Sequence, residues 1–72
     1  MLKLKDIRKM VDAGELYLHH TSWRRGYLSR TCDEENNIAE PYSGRFGEGY
    51  TVGTCSYDSS QYYHLSYYIK VK

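Results

Sequence analysis

The sequence contains few of the residues that characterise a small disulfide-rich or proline-rich protein. It has two cysteines and one proline among 72 residues. Two cysteines are too few for a disulfide scaffold, and thiols stay reduced in a reducing compartment. Cys32 and Cys55 are therefore predicted to be free, mostly buried thiols, with a bridge between them as the alternative.

Long apolar runs are also absent from the sequence. Charged residues interrupt each short apolar stretch of the N-terminal segment MLKLKDIRKM, so it lacks the apolar region of a secretion signal. No part of the sequence approaches the roughly 20 apolar residues of a membrane span. We therefore expect a cytoplasmic protein with no membrane partner.

The chain carries almost no net charge. Ten Lys and Arg residues oppose nine Asp and Glu residues, which gives a formal net charge of +1. Proteins that bind nucleic acid or anionic lipid regardless of sequence usually have a clear excess of basic residues. Such a function would require a local basic patch here.

Tyrosine, in contrast, is abundant, with nine residues beside one Trp and one Phe. Because aliphatic residues are few, some of these tyrosines must be structural. Tyrosine is also common in recognition surfaces, since its side chain is amphipathic and loses little entropy when it is ordered. We expect both roles in this protein.

The hydrophobic periodicity predicts an α+β fold in a single domain that spans residues 1–72. Leu4, Ile7, Met10 and Val11 recur at helical spacing, and Gly14 follows where a helix C-terminal cap belongs. Beyond Gly14 the pattern alternates, which predicts strands near residues 16–19, 26–32, 50–57 and 61–72, and a long surface loop with at most one short edge strand over 38–49. We predict one N-terminal helix packed on an antiparallel sheet of four to five strands.

The last predicted strand has two different faces. One face carries Tyr63, Leu65, Tyr67, Ile69 and Val71, and the other carries Tyr62, His64, Ser66, Tyr68 and Lys70. Because the first set is more apolar, we predict that it faces the helix and that the other face is open to solvent. Tyr62, His64 and Tyr68, with Tyr17 and His19, would then line an open aromatic surface.

The densest group of basic and aromatic residues is Trp23-Arg24-Arg25-Gly26-Tyr27, followed by Arg30. Aromatic rings stack on bases and guanidinium groups pair with phosphates, and both residue types also anchor protein interfaces. The structural alternative is that Trp23 closes the edge of the core. The arginines would then pair with Asp33, Glu34 and Glu35 across a hairpin.

The remaining motifs do not predict a cofactor, a metal or catalysis. The glycine-rich segment 44–52 precedes a strand rather than the helix that a phosphate-binding loop requires. His19, His20, His64 and the two cysteines lack the spacing of a zinc site. The acidic residues lie in predicted turns, and a core this small leaves little room for a catalytic pocket. We therefore expect a protein that is not an enzyme.

We predict a small non-catalytic protein-binding module that occludes a partner's surface, as inhibitors and modulators of host machinery from phages or mobile elements do. The alternative is a module that binds single-stranded nucleic acid or RNA with a basic and aromatic hairpin. A homodimer formed through the last strand, if that strand lies at a sheet edge, is a third hypothesis beside a monomer. The predicted contact residues are Tyr17, Trp23, Arg24, Arg25, Tyr27, Arg30, Tyr62, His64 and Tyr68.

Overall fold

A computed structural model describes residues 1–25, 37–55 and 62–72, with the backbone alone for Arg25, Cys55 and Tyr62. Its elements are helix α1 and four strands, and they run in the order α1 (Leu4–Asp12), β1 (Leu16–Arg25), β2 (Ala39–Gly44), β3 (Gly47–Cys55) and β4 (Tyr62–Lys70). The strands form one antiparallel sheet in the order β1-β4-β3-β2. The predicted α+β class is confirmed. In the described part of the chain, no helix is long and apolar enough to cross a membrane.

Helix α1 begins and ends where its sequence predicts. The backbone N–H of Lys3 donates to the Asp6 carboxylate at 2.9 Å, which satisfies one of the free donors at the helix start. At the other end, Gly14 adopts a φ of +80°, and the N–H of Glu15 donates to the Met10 carbonyl at 2.9 Å. A positive φ costs glycine little, so Gly14 ends the helix and turns the chain into β1.

The core lies between α1 and one face of the sheet. Ile7 and Val52 are almost fully buried, at 0% and 1% exposed. The buried cluster consists of Leu4, Ile7, Leu16, Ala39 and Val52, and Tyr50 and Tyr68 pack against it. Burying the apolar side of α1 against these strand residues is the main stabilising contribution that the described residues show.

The prediction of which β4 face meets the helix is wrong. Tyr68 packs against the core cluster, whereas Tyr67 and Ile69 are buried outside that cluster, at 9% and 4% exposed. The pairing fixes this assignment, because Val52 lies opposite Ser66 and neighbouring β4 residues alternate between the faces. A comparison of apolar content fails here because both faces of β4 are covered, one by the helix and the other by aromatic rings.

Strand β1 is longer than predicted. The sequence indicates a turn after His19, but residues 20–25 continue the strand and pair with β4 as far as Arg25 opposite Tyr62. The register shifts between Leu18 and His20, which marks a β-bulge. The second strand predicted over residues 26–32 lies outside the described residues, as does Cys32.

Residues 38–49 form a hairpin rather than the predicted surface loop. Strand β2 pairs with β3 from Ala39 opposite Val52 to Gly44 opposite Gly47, and only Arg45 and Phe46 separate the two strands. Gly47 takes a φ of +120°, a conformation that glycine adopts readily. The glycines of this segment therefore close a tight turn and place Phe46 at its tip.

Strand β2 is an edge strand whose outer side is partly satisfied. The N–H of Ala39 donates to the Leu2 carbonyl at 2.9 Å, so the chain start pairs with the first residue of β2. Backbone groups two residues apart point the same way, so Pro41 occupies the next outward position and has no N–H to offer there. Strand β4 lies inside the sheet, between β1 and β3. A homodimer through β4 would require it at a sheet edge, and this requirement is not met.

Candidate functional site

The β1 bulge brings two adjacent histidines to the same side of the sheet. In a regular strand neighbouring side chains point to opposite faces, but the bulge opposes two residues of β1 to one of β4. The Nδ1 atoms of His19 and His20 are 2.8 Å apart. One of these nitrogens must donate and the other accept, since two lone pairs or two N–H groups would repel each other.

Both histidines belong to an aromatic cluster on the sheet face opposite α1. His20 stacks on Tyr67 with ring centroids 4.4 Å apart and an angle of 13° between the planes, and His19 stacks on Phe46 at 4.7 Å and 30°. Tyr42 and Phe46 meet Tyr67 edge to face at 5.3 and 5.7 Å. We call His19, His20, Tyr42, Phe46 and Tyr67 the aromatic cluster, and it forms a second, smaller packed region of the protein.

Two arginines extend this face with positive charge. Arg24 Nη2 donates to the Tyr67 hydroxyl at 3.0 Å. The Arg45 guanidinium carbon lies 5.2 Å from the centroid of the Phe46 ring, within range of a cation–π interaction. The face opposite the helix thus combines planar rings with guanidinium groups.

The helix face of the sheet carries a second exposed group beyond the core. The Trp23 and His64 rings lie directly across β1 and β4 with centroids 4.0 Å apart, and 61% of Trp23 is exposed. Leu18 is on the same face of β1 and is 50% exposed. We call Leu18, Trp23 and His64 the Trp23 patch. Between Leu18 and Trp23, the hydroxyls of Thr21 on β1 and Ser66 on β4 form a hydrogen bond of 3.0 Å.

The length of α1 explains why this patch is uncovered by the helix. Nine helical residues extend about 13 Å, whereas a ten-residue strand such as β1 extends about 30 Å. The helix therefore covers only part of the sheet face, whatever its crossing angle. Trp23 lies near the end of β1 that is farther from the helix connection.

The structure divides the predicted contact residues between the two faces. Trp23 and His64 meet on the helix face, while Arg24 contacts Tyr67 on the other face. Tyr17 is also on that other face, 43% exposed, with its ring 6.2 Å from His19. The structure therefore does not bring these residues into the single patch that the sequence predicts.

The other predicted contact residues are either beneath the helix or not described. Tyr68 packs against the core cluster, and burial raises the pKa of its hydroxyl above the ordinary value, an effect that the nearby Arg8 cation opposes. For Arg25 and Tyr62 only the backbone pairing is described. Tyr27 and Arg30 lie outside the described residues, as do the acidic residues 33–35 proposed as arginine partners.

Sequence reasoning missed Tyr42, Phe46 and His20 as members of one cluster. Two glycines around Arg45-Phe46, preceded and followed by residues that suit strands, were the available signal for a two-residue hairpin turn. That hairpin would have placed Tyr42 and Phe46 close together. The bulge that turns His20 toward them has no comparable signal in the sequence.

A surface groove is present where the end of α1 meets the sheet. Its volume is about 480 Å³ and it is lined by Met10, Gly14, Glu15, Leu16, Tyr50, Lys70 and Val71. Its lining combines apolar side chains with one acidic and one basic side chain. In the described part of the chain, no three His, Cys, Asp or Glu side chains are grouped so that they could hold a metal ion.

Two exposed surfaces on opposite faces of one sheet are thus the candidate functional sites. The Trp23 patch has two exposed apolar side chains, Leu18 and Trp23, with a pair of hydroxyls between them, and the face of the aromatic cluster carries two cations. Comparison with protein-family models, curated proteins and solved structures gives no match for this chain.

Proposed function

We propose that this chain is a small non-catalytic protein-binding module that acts in the cytoplasm by covering part of a partner's surface, with the Trp23 patch as its main contact. The observation that supports this most directly is the exposure of Trp23 on the part of β1 beyond the bulge, which pairs regularly with β4. Tryptophan is among the residues that contribute most to binding at protein interfaces.

The position of Trp23 is fixed before any partner binds. Its backbone is held by the pairing with β4, and its indole rests against the His64 ring at 4.0 Å. A preordered side chain loses less entropy on binding than a mobile one does. A partner that buries the exposed part of this indole therefore gains the hydrophobic contribution with little ordering cost.

Affinity capture with matched variants tests this proposal. The tagged protein is incubated with a nuclease-treated lysate of its source cells, and bound proteins are quantified by mass spectrometry for wild type, Trp23→Ala, Leu18→Ala and Val71→Ala. Val71 is a suitable control because it is 52% exposed and apolar but outside the Trp23 patch. Circular dichroism confirms that each variant is folded.

We expect one partner whose capture is retained by Val71→Ala and reduced by both patch variants. Loss of a central interface tryptophan typically weakens binding by about 2 kcal/mol or more, roughly 30-fold in Kd. If the folded Trp23→Ala variant captures the same proteins in the same amounts as wild type, the Trp23 patch is not the contact.

Single-stranded nucleic acid is a second candidate ligand, supported by the face of the aromatic cluster. Stacking rings and guanidinium groups occur together there, with Arg24 at Tyr67 and Arg45 over Phe46. This combination suits binding of bases and phosphates in an unpaired strand. The stacking platform predicted from the sequence is Tyr17, Tyr62 and Tyr68. Of these, Tyr17 lies beside His19 on this face, where Phe46 joins it, whereas Tyr68 packs against the core cluster.

Fluorescence anisotropy with labelled RNA and DNA oligonucleotides distinguishes this second candidate from the first. Binding through the aromatic cluster should weaken steeply with salt, and Arg24→Ala and Arg45→Ala should each lower the salt slope by about one. Lys5→Ala on the exposed side of α1 is the charge-matched control. Binding that Lys5→Ala reduces as much as Arg45→Ala would indicate nonspecific attraction.

A further inference from the structure

We propose that His19 and His20 form a binding site for a divalent late transition-metal ion of the Cu²⁺ or Ni²⁺ class at the β1 bulge. This inference is independent of protein binding by the Trp23 patch. The site provides two imidazole nitrogens, and the remaining coordination positions are open to water. The two Nδ1 atoms are already in hydrogen-bond contact in the fold.

The separation of the two nitrogens fits adjacent positions on one metal ion. Imidazole nitrogens bind first-row metals at about 2.0–2.1 Å. Two such bonds at a right angle place the nitrogens about 2.9 Å apart, whereas the tetrahedral angle of zinc requires about 3.3 Å. The observed distance between His19 Nδ1 and His20 Nδ1 is 2.8 Å. This separation, which a hydrogen bond sets in the metal-free chain, needs little change for the square-planar or tetragonal coordination of Cu²⁺ and Ni²⁺, whereas tetrahedral zinc requires the two nitrogens to move apart.

Both rings are held in place by neighbours other than each other. His20 stacks on Tyr67 at 4.4 Å, and Phe46 contacts both rings, with centroids 4.7 Å from His19 and 4.9 Å from His20. The bulge fixes the two backbone positions. Supporting contacts of this kind keep metal ligands in their binding orientation, which reduces the ordering cost of coordination.

Metal binding needs no net loss of a proton from the neutral pair. Each neutral imidazole carries one proton, which can be on Nδ1 or Nε2. The hydrogen bond between the two rings uses one Nδ1 proton. When that proton is on Nε2 instead, both Nδ1 lone pairs are available. The metal ion then binds to one side of the line between the two nitrogens, about 2.0–2.1 Å from each, and both rings turn so that their lone pairs point toward it. The positive guanidinium groups of Arg24 and Arg45 repel the bound divalent ion. Because this repulsion lowers the affinity, a stable complex requires the bonds from both Nδ1 atoms.

The test is isothermal titration of the protein, free of any polyhistidine tag, with NiCl₂ and with ZnCl₂. The variants are His19→Phe and His20→Phe, which keep an aromatic ring in the cluster and remove the nitrogens. His64→Phe is the matched control, because it makes the same chemical change beside Trp23 on the opposite face of the sheet. Circular dichroism confirms that each variant is folded.

We expect one Ni²⁺ ion per chain, with Zn²⁺ bound more weakly. Each single variant at the bulge should bind Ni²⁺ at least about tenfold more weakly than wild type, since one of two ligand bonds is lost. His64→Phe should bind like wild type. Equal weakening by His64→Phe, unchanged affinity in His19→Phe, or tighter binding of Zn²⁺ than of Ni²⁺ would each overturn the proposal.

A second measurement uses the wild-type chain alone, so it does not depend on the folding of the variants. Cu²⁺ has one unpaired electron in any coordination geometry, so it broadens the proton resonances of the groups that bind it. At substoichiometric Cu²⁺, the ring protons of His19 and His20 should broaden together and before those of His64. Equal broadening of all three histidines would contradict a site at the bulge.

Discussion

Replacement of Phe46 by alanine tests whether the aromatic cluster stabilises the fold as a second packed region. A fully buried phenylalanine typically contributes about 3–5 kcal/mol relative to alanine. Phe46 is half-buried, so we expect Phe46→Ala to lower the free energy of unfolding by about 2 kcal/mol. The ring contacts with His19, His20 and Tyr67 are part of this loss, since one well-packed aromatic pair contributes about 0.5–1.5 kcal/mol beyond its apolar burial.

This loss is a large fraction of the total stability. A domain of 72 residues has a free energy of unfolding of roughly 4–11 kcal/mol. A loss of 2 kcal/mol corresponds to a decrease in Tm of about 8–16 °C for a domain of this size. Urea unfolding followed by far-ultraviolet circular dichroism measures the free energy, and a thermal scan gives Tm.

Two further variants separate stacking from simple apolar burial. Phe46→Leu keeps most of the buried apolar surface but loses the ring contacts, so it should lose about 1 kcal/mol. Val71→Ala, at a position that is 52% exposed, should change stability by no more than about 0.5 kcal/mol. If Phe46→Ala destabilises the protein no more than Val71→Ala does, the aromatic cluster is a surface feature without a structural role.

Two glycines and one tyrosine give further predictions. A Cβ on Gly49 would collide with the Tyr68 backbone carbonyl, so Gly49→Ala should separate β3 from β4 and cost several kcal/mol in urea unfolding. Gly14→Ala meets no described atom within 4 Å and should cost only about 1 kcal/mol, for its φ of +80°. Burial raises the pKa of Tyr68, so the folded state favours its neutral form. The contribution of neutral Tyr68 to the free energy of unfolding is therefore fully present below the ordinary tyrosine pKa. It is lost as the pH rises through the raised pKa of the folded state. Tyr68→Phe should reduce this alkaline loss of stability, and an unchanged stability profile above pH of about 10 would contradict the assignment.

The sequence predicted the helix and the fold class better than it predicted which strand faces are buried and which side chains meet. Helix α1 has both a clear apolar period and the cap residue Gly14, and these local signals determine its bounds. The fold class follows from one such helix and several alternating segments. The hairpin at Arg45-Phe46 was within reach, because its glycines are compatible with a two-residue turn as well as with a loop.

The faces of β4 and the composition of the site were not predictable in the same way. Tyr67 and Tyr68 are chemically identical, and only the pairing of β3 with β4 determines which of them meets the helix. The β1 bulge changes the side to which His20 points, and the register shift that marks it appears only in the pairing of β1 with β4. A site that depends on both features is therefore visible only in the fold.

The pairing at the outer side of β2 affects how these molecules behave at high concentration. Strands rich in tyrosine and β-branched residues tend to add to one another and grow into fibrils. Such growth at β2 would need outward backbone donors, but Ala39 already donates to Leu2 and Pro41 has none. Of the outward positions in β2, only Ser43 has an N–H with no hydrogen-bond partner among the described residues. This edge is therefore a poor template for aggregation, and removal of the first residues of the chain would make it a better one.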